Sequence, residues 1–301
     1  MITVSAPGKL MLMGEHAVVY GYPCLVTAVD RRLTVSMEEA ADGEVTIDAP
    51  ESNNTRFVAE AITLGTAAWG INHHGLHIAT KSELGNYGLG SSAAATVATL
   101  KALAVLFQKE ISDRELFELG RRVVVAVQGN GSGFDVAASV WGGTLYFADG
   151  GKTIQPIELE ELPLLVAYSG VKADTVNLVA AVAQKRKQYP ERVERVFESI
   201  GKLVLQAKEA LMKQDWERFG KYMDFNQEYL RDLGVSTQKL ESFISAAKHA
   251  GALGAKLSGA GGGDCVIALA TKDKKQETRN ALEEVGGEVL ELVPNAEGVH
   301  P

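Results

Sequence analysis

The sequence predicts an α+β protein of two lobes joined by a short connection. Three observations carry this: strand signals crowd the first half of the chain, helical periodicity fills most of the second, and Asp149, Gly150 and Gly151 interrupt the pattern between them. At 301 residues with 46% hydrophobic content, each lobe can bury a core. There is no internal repeat and no low-complexity tract, so the lobes are expected over 1–150 and 151–301.

The elements follow in order. Alternation and short apolar runs at Ile2 to Ala6 and Cys24 to Val35 read as strands, with Gly14, Gly21 and Pro23 marking the turn between them. A strand at Glu44 to Ile47, a helix from about Asn54 to Trp69 and a strand around Leu76 to Thr80 follow. A glycine-rich loop, Gly85 to Gly90, opens an apolar helix from Ser91 to about Leu106, and Ser112 with Glu115 predicts a capping box for a helix reaching Val127. A strand near Thr144 to Phe147 ends the first lobe. The second begins with a strand at Leu164 to Tyr168, then helices at Thr175 to Lys187, Pro190 to Met212, Trp216 to Leu233 and Thr237 to His249. Strands at Ala255 to Leu257, Cys265 to Ala270 and Glu288 to Val293 complete it, with a helix from Asp273, read as its N-cap, to Val285.

Composition limits the function. A net charge of −8 disfavours nonspecific binding to nucleic acid or an anionic membrane, so an anionic ligand needs a local device. No apolar run reaches the ~18 residues of a membrane span. Lys9, Glu15 and His16 break the first apolar stretch, so no secretory leader is expected and the cytoplasm is the expected compartment. Cys24 and Cys265, far apart in apolar runs, read as buried reduced thiols. His73, His74 and His77 lack zinc-site spacing and read as a solvated loop.

Four segments could carry chemistry. Gly88-Leu89-Gly90-Ser91-Ser92-Ala93 places glycines and serines where a helix opens, which is either an anion site built from backbone N–H groups or simply a capped helix; it is not a Walker A loop. Lys256 to Cys265 is too long and glycine-dense for a tight hairpin and reads as backbone lying against a ligand. Gly129 to Gly133 leads into Asp135, either a general base or an N-cap for a helix from Val136. Lys9, Glu15 and His16 sit in otherwise apolar sequence, where charge is costly unless paired or used; the other reading is a surface edge strand.

Together these motifs, APGKL with GEHAVVYG, then GLGSSAA, then GSGFD with WGG, then KLSGAGGGDC, resemble the GHMP kinase superfamily, and their order over nearly the whole chain is similar to its mevalonate kinase branch. The resemblance implies a two-lobed fold, with a ribosomal protein S5-like first lobe and a ferredoxin-like second lobe carrying added helices. It implies ATP with Mg2+, a small-molecule acceptor, no nucleic-acid or membrane partner, and allows a homodimer. Carried over by motif, Asp135 would accept the acceptor's proton and Lys9 would steady the transferring charge. Gly88, Leu89, Gly90, Ser91, Ser92 and Ala93 would cradle the ATP phosphates, with Ser92 also the metal ligand; Gly259, Ala260, Gly261 and Gly262 would close over them. Glu15, His16, Ser132 and Asp264 fall on the acceptor side.

Three positions depart from the mevalonate kinase pattern. Val124 stands where the branch has an acidic metal ligand, and valine cannot bind a hard cation. Asp264 replaces the last glycine of its motif, and Leu84-Gly85-Asn86-Tyr87 replaces a proline-containing lead-in. These features are similar to bacterial phosphomevalonate kinases, whereas GEHAVVYG and the compact length are similar to mevalonate kinases. Transfer to mevalonate is therefore expected, with mevalonate 5-phosphate the alternative acceptor. A non-catalytic ligand sensor is the remote alternative and would be expected to lack Lys9 or Asp135. For an anionic acceptor, the basic candidates near the motifs are Lys9, Lys81 and Lys172.

Overall fold

The computed structural model describes residues 1–41, 43–50 and 54–301. The first lobe is organised by two long antiparallel strands, β1 (Ile2–Met13) and β2 (Cys24–Glu39), with Val4 opposite Val35 and Leu10 opposite Thr27. The ladder slips between Pro7 and Gly8, where proline offers no N–H. β3 (Val45–Asp48) lies parallel to β4 (Leu76–Ser82), which pairs with the second half of β2; β5 (Thr144–Ala148) pairs with its first half and β6 (Thr153–Ile157) pairs with β5. The expected division at Gly150 and Gly151 thus falls inside this sheet. Those residues make the tight turn from β5 to β6, and the chain leaves the first sheet only after Ile157.

Helices α1 (Thr55–Trp69), α2 (Ser91–Leu106), α3 (Asp113–Gln128) and α4 (Phe134–Trp141) complete the lobe, with α2 and α4 against β1 and β2. α2 is apolar on every side and its residues Ala93 to Leu100 are all buried, as expected of a helix packed all round. The predicted capping box forms in both directions: Glu115 N donates to Ser112 Oγ at 3.2 Å and Ser112 N donates to Glu115 Oε2 at 2.9 Å.

The second lobe is a four-stranded antiparallel sheet in the order β10 (Glu288–Val289), β7 (Leu164–Tyr168), β9 (Cys265–Leu269), β8 (Gly254–Ser258). Its helices are α5 (Thr175–Gln188), α6 (Pro190–Met212), α7 (Trp216–Leu233), α8 (Gln238–His249) and α9 (Lys275–Glu284). Asp273 does not cap α9: Lys274 holds the cap position, and the Asp273 carboxyl instead bonds Thr271. The strand expected to reach Val293 stops after two residues because the chain crosses back to the first lobe. There Val293 N donates to Asp30 Oδ1 at 2.7 Å, and the Arg32 guanidinium donates to the carbonyls of Ser5, Glu297 and Gly298 at 2.9, 3.0 and 2.7 Å. The chain therefore links the lobes twice, and one hydrophobic cluster runs through both. No helix among the described residues is long and apolar enough to cross a membrane.

Candidate active site

The turn at Gly88 to Gly90 is held by β1. Lys9 donates to two successive carbonyls, its backbone N to Leu89 O at 2.8 Å and its Nζ to Gly88 O at 3.0 Å. The amides of Ala93 and Ala94 turn back to Gly90 O at 3.1 and 3.2 Å, whereas among the described residues no acceptor meets those of Ser91 and Ser92. Two free donors thus stand at the positive end of a 16-residue helix. Leu89 and Ala93 are buried, so their side chains serve packing and at these two positions only backbone can face a phosphate.

Ser92 Oγ donates to Asn54 Oδ1 at 3.3 Å. Asn54 is buried ahead of α1, and its Nδ2 has no partner among the described residues. Sequence reasoning missed it, because an asparagine before a helix reads as an ordinary cap; here the side chain makes no cap bond and turns to the serine instead.

Lys9 is half-buried. Burial pushes its pKa down, while the carboxylates of Asp135 and Asp264 pull it back up. Asp135 is not the cap expected of a helix from Val136. α4 begins one residue before Asp135, with Gly133 at the cap position, and Asp135 Oδ1 accepts from Val136 N at 3.0 Å within the first turn. Ser139 Oγ donates to Pro7 O at 3.1 Å, so α4 and β1 hold the acid and the lysine in one rigid unit.

The expected acceptor-side residues divide. Ser132 lies half-buried in the turn before α4. His16 is buried and donates from Nε2 to Ala260 O at 2.9 Å, and its burial pushes the imidazole pKa down. Glu15 offers no surface to a ligand: its side chain is wholly buried and ion-paired with Lys256 of β8. Asp264 is also committed, accepting from Ala173 N at 3.1 Å and pairing with Lys172 Nζ at 3.6 Å. Its partner is thus Lys172, neither Lys9 nor Lys256 as an ion pair, and Lys172 in turn donates to Asn86 O at 3.2 Å ahead of the phosphate turn.

The second glycine segment is packed closely by its own lobe. A Cβ on Gly261 would lie 2.2 Å from Val235 O, on Gly262 2.7 Å from Leu178 Cδ1, and on Gly263 2.4 Å from Val171 O. These glycines let the loop press against its own lobe. Gly259, with φ +99° and open space where a side chain would stand, is the position facing outward.

Val124 is buried in the core, its Cγ1 3.1 Å from where a Cβ on Gly131 would lie. No group of three or more His, Cys, Asp or Glu side chains suited to a metal occurs among the described residues. Beside the phosphate turn stand the neutral oxygens of Ser92 and Asn54 and, against Gly88, the Asp264 carboxylate, which Ala173 N and Lys172 already hold. Such a donor set suits magnesium that arrives on ATP with phosphate and water as most of its ligands, not a resident ion.

The GHMP kinases N terminal domain model matches residues 56–143 and the GHMP kinases C terminal model residues 207–288; a galactokinase galactose-binding signature matches residues 2–39. The mevalonate kinase of Thermococcus gammatolerans is 36% identical, over 99% of this chain and 97% of its own. L. major mevalonate kinase, solved in complex with R-mevalonate, superposes with a TM-score of 0.83 at 27% identity, over 99% of this chain and 96% of its own. Streptococcus pneumoniae phosphomevalonate kinase, in complex with phosphomevalonate and AMPPNP, gives 0.86 at 22% identity, over 98% of this chain and 100% of its own; at that identity the likeness is one of fold.

Proposed function

The chain belongs to the GHMP kinase family, in its mevalonate kinase branch, and from that membership we propose that it transfers the γ-phosphoryl group of MgATP to mevalonate. The products are mevalonate 5-phosphate and ADP. The observation that carries the chemistry is the placement of Lys9: it holds the phosphate turn by two hydrogen bonds while Asp135 supports its charge.

In this reading the Ser91 and Ser92 amides bind phosphate oxygens, and the Lys9 ammonium stabilises the charge on the transferring group. Phosphoryl transfer needs mainly such positioning and electrostatic work. Asp135 takes the proton of the mevalonate hydroxyl as its oxygen bonds to the γ-phosphorus and the bond to ADP breaks. Ser92 would hold the magnesium that comes with ATP, which would neutralise phosphate charge.

Mevalonate is preferred over mevalonate 5-phosphate because a second phosphate needs a spare cation. Lys9 is engaged at Gly88 O and Lys172 at Asp264 and Asn86 O, while Lys81 sits exposed on β4. The test is ADP release measured side by side with mevalonate, mevalonate 5-phosphate and galactose. A tenfold preference in kcat/KM corresponds to ~1.4 kcal/mol in transition-state binding. Preference for mevalonate is expected; preference for either other acceptor overturns the assignment.

A further inference from the structure

Two charged groups that this chemistry does not use lie in the contact between the lobes. Glu15, in the turn after β1, and Lys256, in β8, have side chains with no exposure and form an ion pair. Asn226 Nδ2 reaches the second Glu15 oxygen at 3.5 Å, Gly14 N donates to Asn226 Oδ1 at 3.3 Å, and Lys256 Nζ also donates to Leu257 O at 2.5 Å. Burying two charges costs several kcal/mol per ion, and an apolar pair of similar volume is often as stable or more so. Stability alone therefore does not account for the pair.

Its position does. On one side of it Ser258 Oγ accepts from Met11 N at 3.1 Å and donates to Met11 O at 2.9 Å; on the other His16 Nε2 donates to Ala260 O at 2.9 Å. Met11, Glu15 and His16 of the first lobe are thus pinned to Ser258, Lys256 and Ala260 of the second. His16 has φ +59°, a left-handed conformation that costs a non-glycine residue of order 1–3 kcal/mol and persists only where its surroundings hold it. Glu15 adjoins that strained residue directly, and Lys256 lies three residues before Gly259.

We infer that Glu15 and Lys256 form a positioning pair for the phosphotransfer site, setting the register of the His16 turn against the Gly259–Ala260 end of the second glycine loop. The inference rests on the reading above for its link to catalysis. Neither residue is given a role in bond making.

The test is the double variant Glu15→Gln with Lys256→Met, which removes both charges and leaves neither unpaired. It is expected to melt within a few degrees of the parent and above either single variant. Hydrogen exchange at the amides of 256–264, measured without ligand, is expected to rise at least tenfold. The kcat/KM for mevalonate is expected to fall at least tenfold while KM for ATP stays within threefold. Unchanged exchange, or unchanged kcat/KM, overturns the inference. Should the double variant fail to fold, Glu15→Asp keeps the charge but shortens its reach, and the same two measurements decide. If the parent protein does not phosphorylate mevalonate, the acceptor assignment falls, and exchange alone still decides whether the pair sets the loop.

Discussion

A Cβ on Gly88 would lie 2.3 Å from Asp264 Oδ2 and 2.6 Å from its Cγ, so the carboxylate of the second lobe fills the side-chain position of the phosphate turn in the first. Both residues have positive φ, +78° at Gly88 and +53° at Asp264. The glycine is required twice over, by its backbone and by its neighbour. Asp264 is held in turn by Ala173 N and Lys172, so the phosphate turn is keyed to the start of the loop before α5.

This contact predicts a rescue. Gly88→Ala should lower kcat/KM for both substrates by one to two orders of magnitude and reduce Tm, because the new methyl must displace the carboxylate and adopt a strained φ. Asp264→Gly, at a φ that suits glycine, should leave mevalonate turnover within a few-fold. The double variant should recover at least tenfold of the Gly88→Ala loss. Strictly multiplicative effects in the four-enzyme kinetic comparison would show that the two positions are not coupled.

The surroundings of Lys9 predict an alkaline limit to activity. Burial lowers its pKa below the ordinary 10.5, so the ammonium is lost as pH rises through a value below that of a free lysine. The alkaline limb of kcat/KM, which reports the free enzyme, should therefore fall below pH 10.5. Asp264→Asn removes a carboxylate that favours the charged form and should move the limb to lower pH. Lys172→Met removes a like charge and should move it higher. Profiles that shift together, or not at all, would mean that another group sets the limb.

Much of this was legible beforehand because local signals agreed with the fold. The Ser112 and Glu115 box and the long apolar α2 formed as their residue types require, and the motif order led to the right family. The misreadings share one cause, long-range contact. Nothing local says that Glu15 would meet Lys256, 241 residues away, or that Gly261 and Gly262 are small because Val235 and Leu178 crowd them. β6 was missed because Pro156 weakens its strand signal, yet it pairs as an edge strand, where proline is tolerated. The strand after β9 was overextended because its apolar residues, read as one run, are shared between two lobes.

Asp135→Asn is predicted to lower kcat by about 10² to 10⁴ while ATP affinity, read by titration without acceptor, stays within threefold. Asparagine can still accept from Val136 N, so the first turn of α4 should persist and Tm should hardly change. Retention of more than a tenth of the parent kcat would return Asp135 to a purely structural role in that turn.

The last prediction concerns Asn54, whose buried Nδ2 has no partner among the described residues, beside the serine that opens the phosphate turn. A buried donor without an acceptor is rare and costly, so a ligand oxygen is the natural partner. A hydrogen bond to a charged group contributes about 1.5–3 kcal/mol. Asn54→Ala should therefore raise KM for ATP about tenfold or more, with a modest fall in Tm from the lost Ser92 bond to Oδ1. Asn54→Asp separates two roles for the position. If Asn54 donates to phosphate, the carboxylate repels it and KM rises further than in the alanine variant. If the position serves the metal, the carboxylate supplies the acid that Val124 does not, and the magnesium concentration for half-maximal rate falls. The first outcome is expected, and a KM for ATP unchanged by Asn54→Ala would place the nucleotide away from this residue.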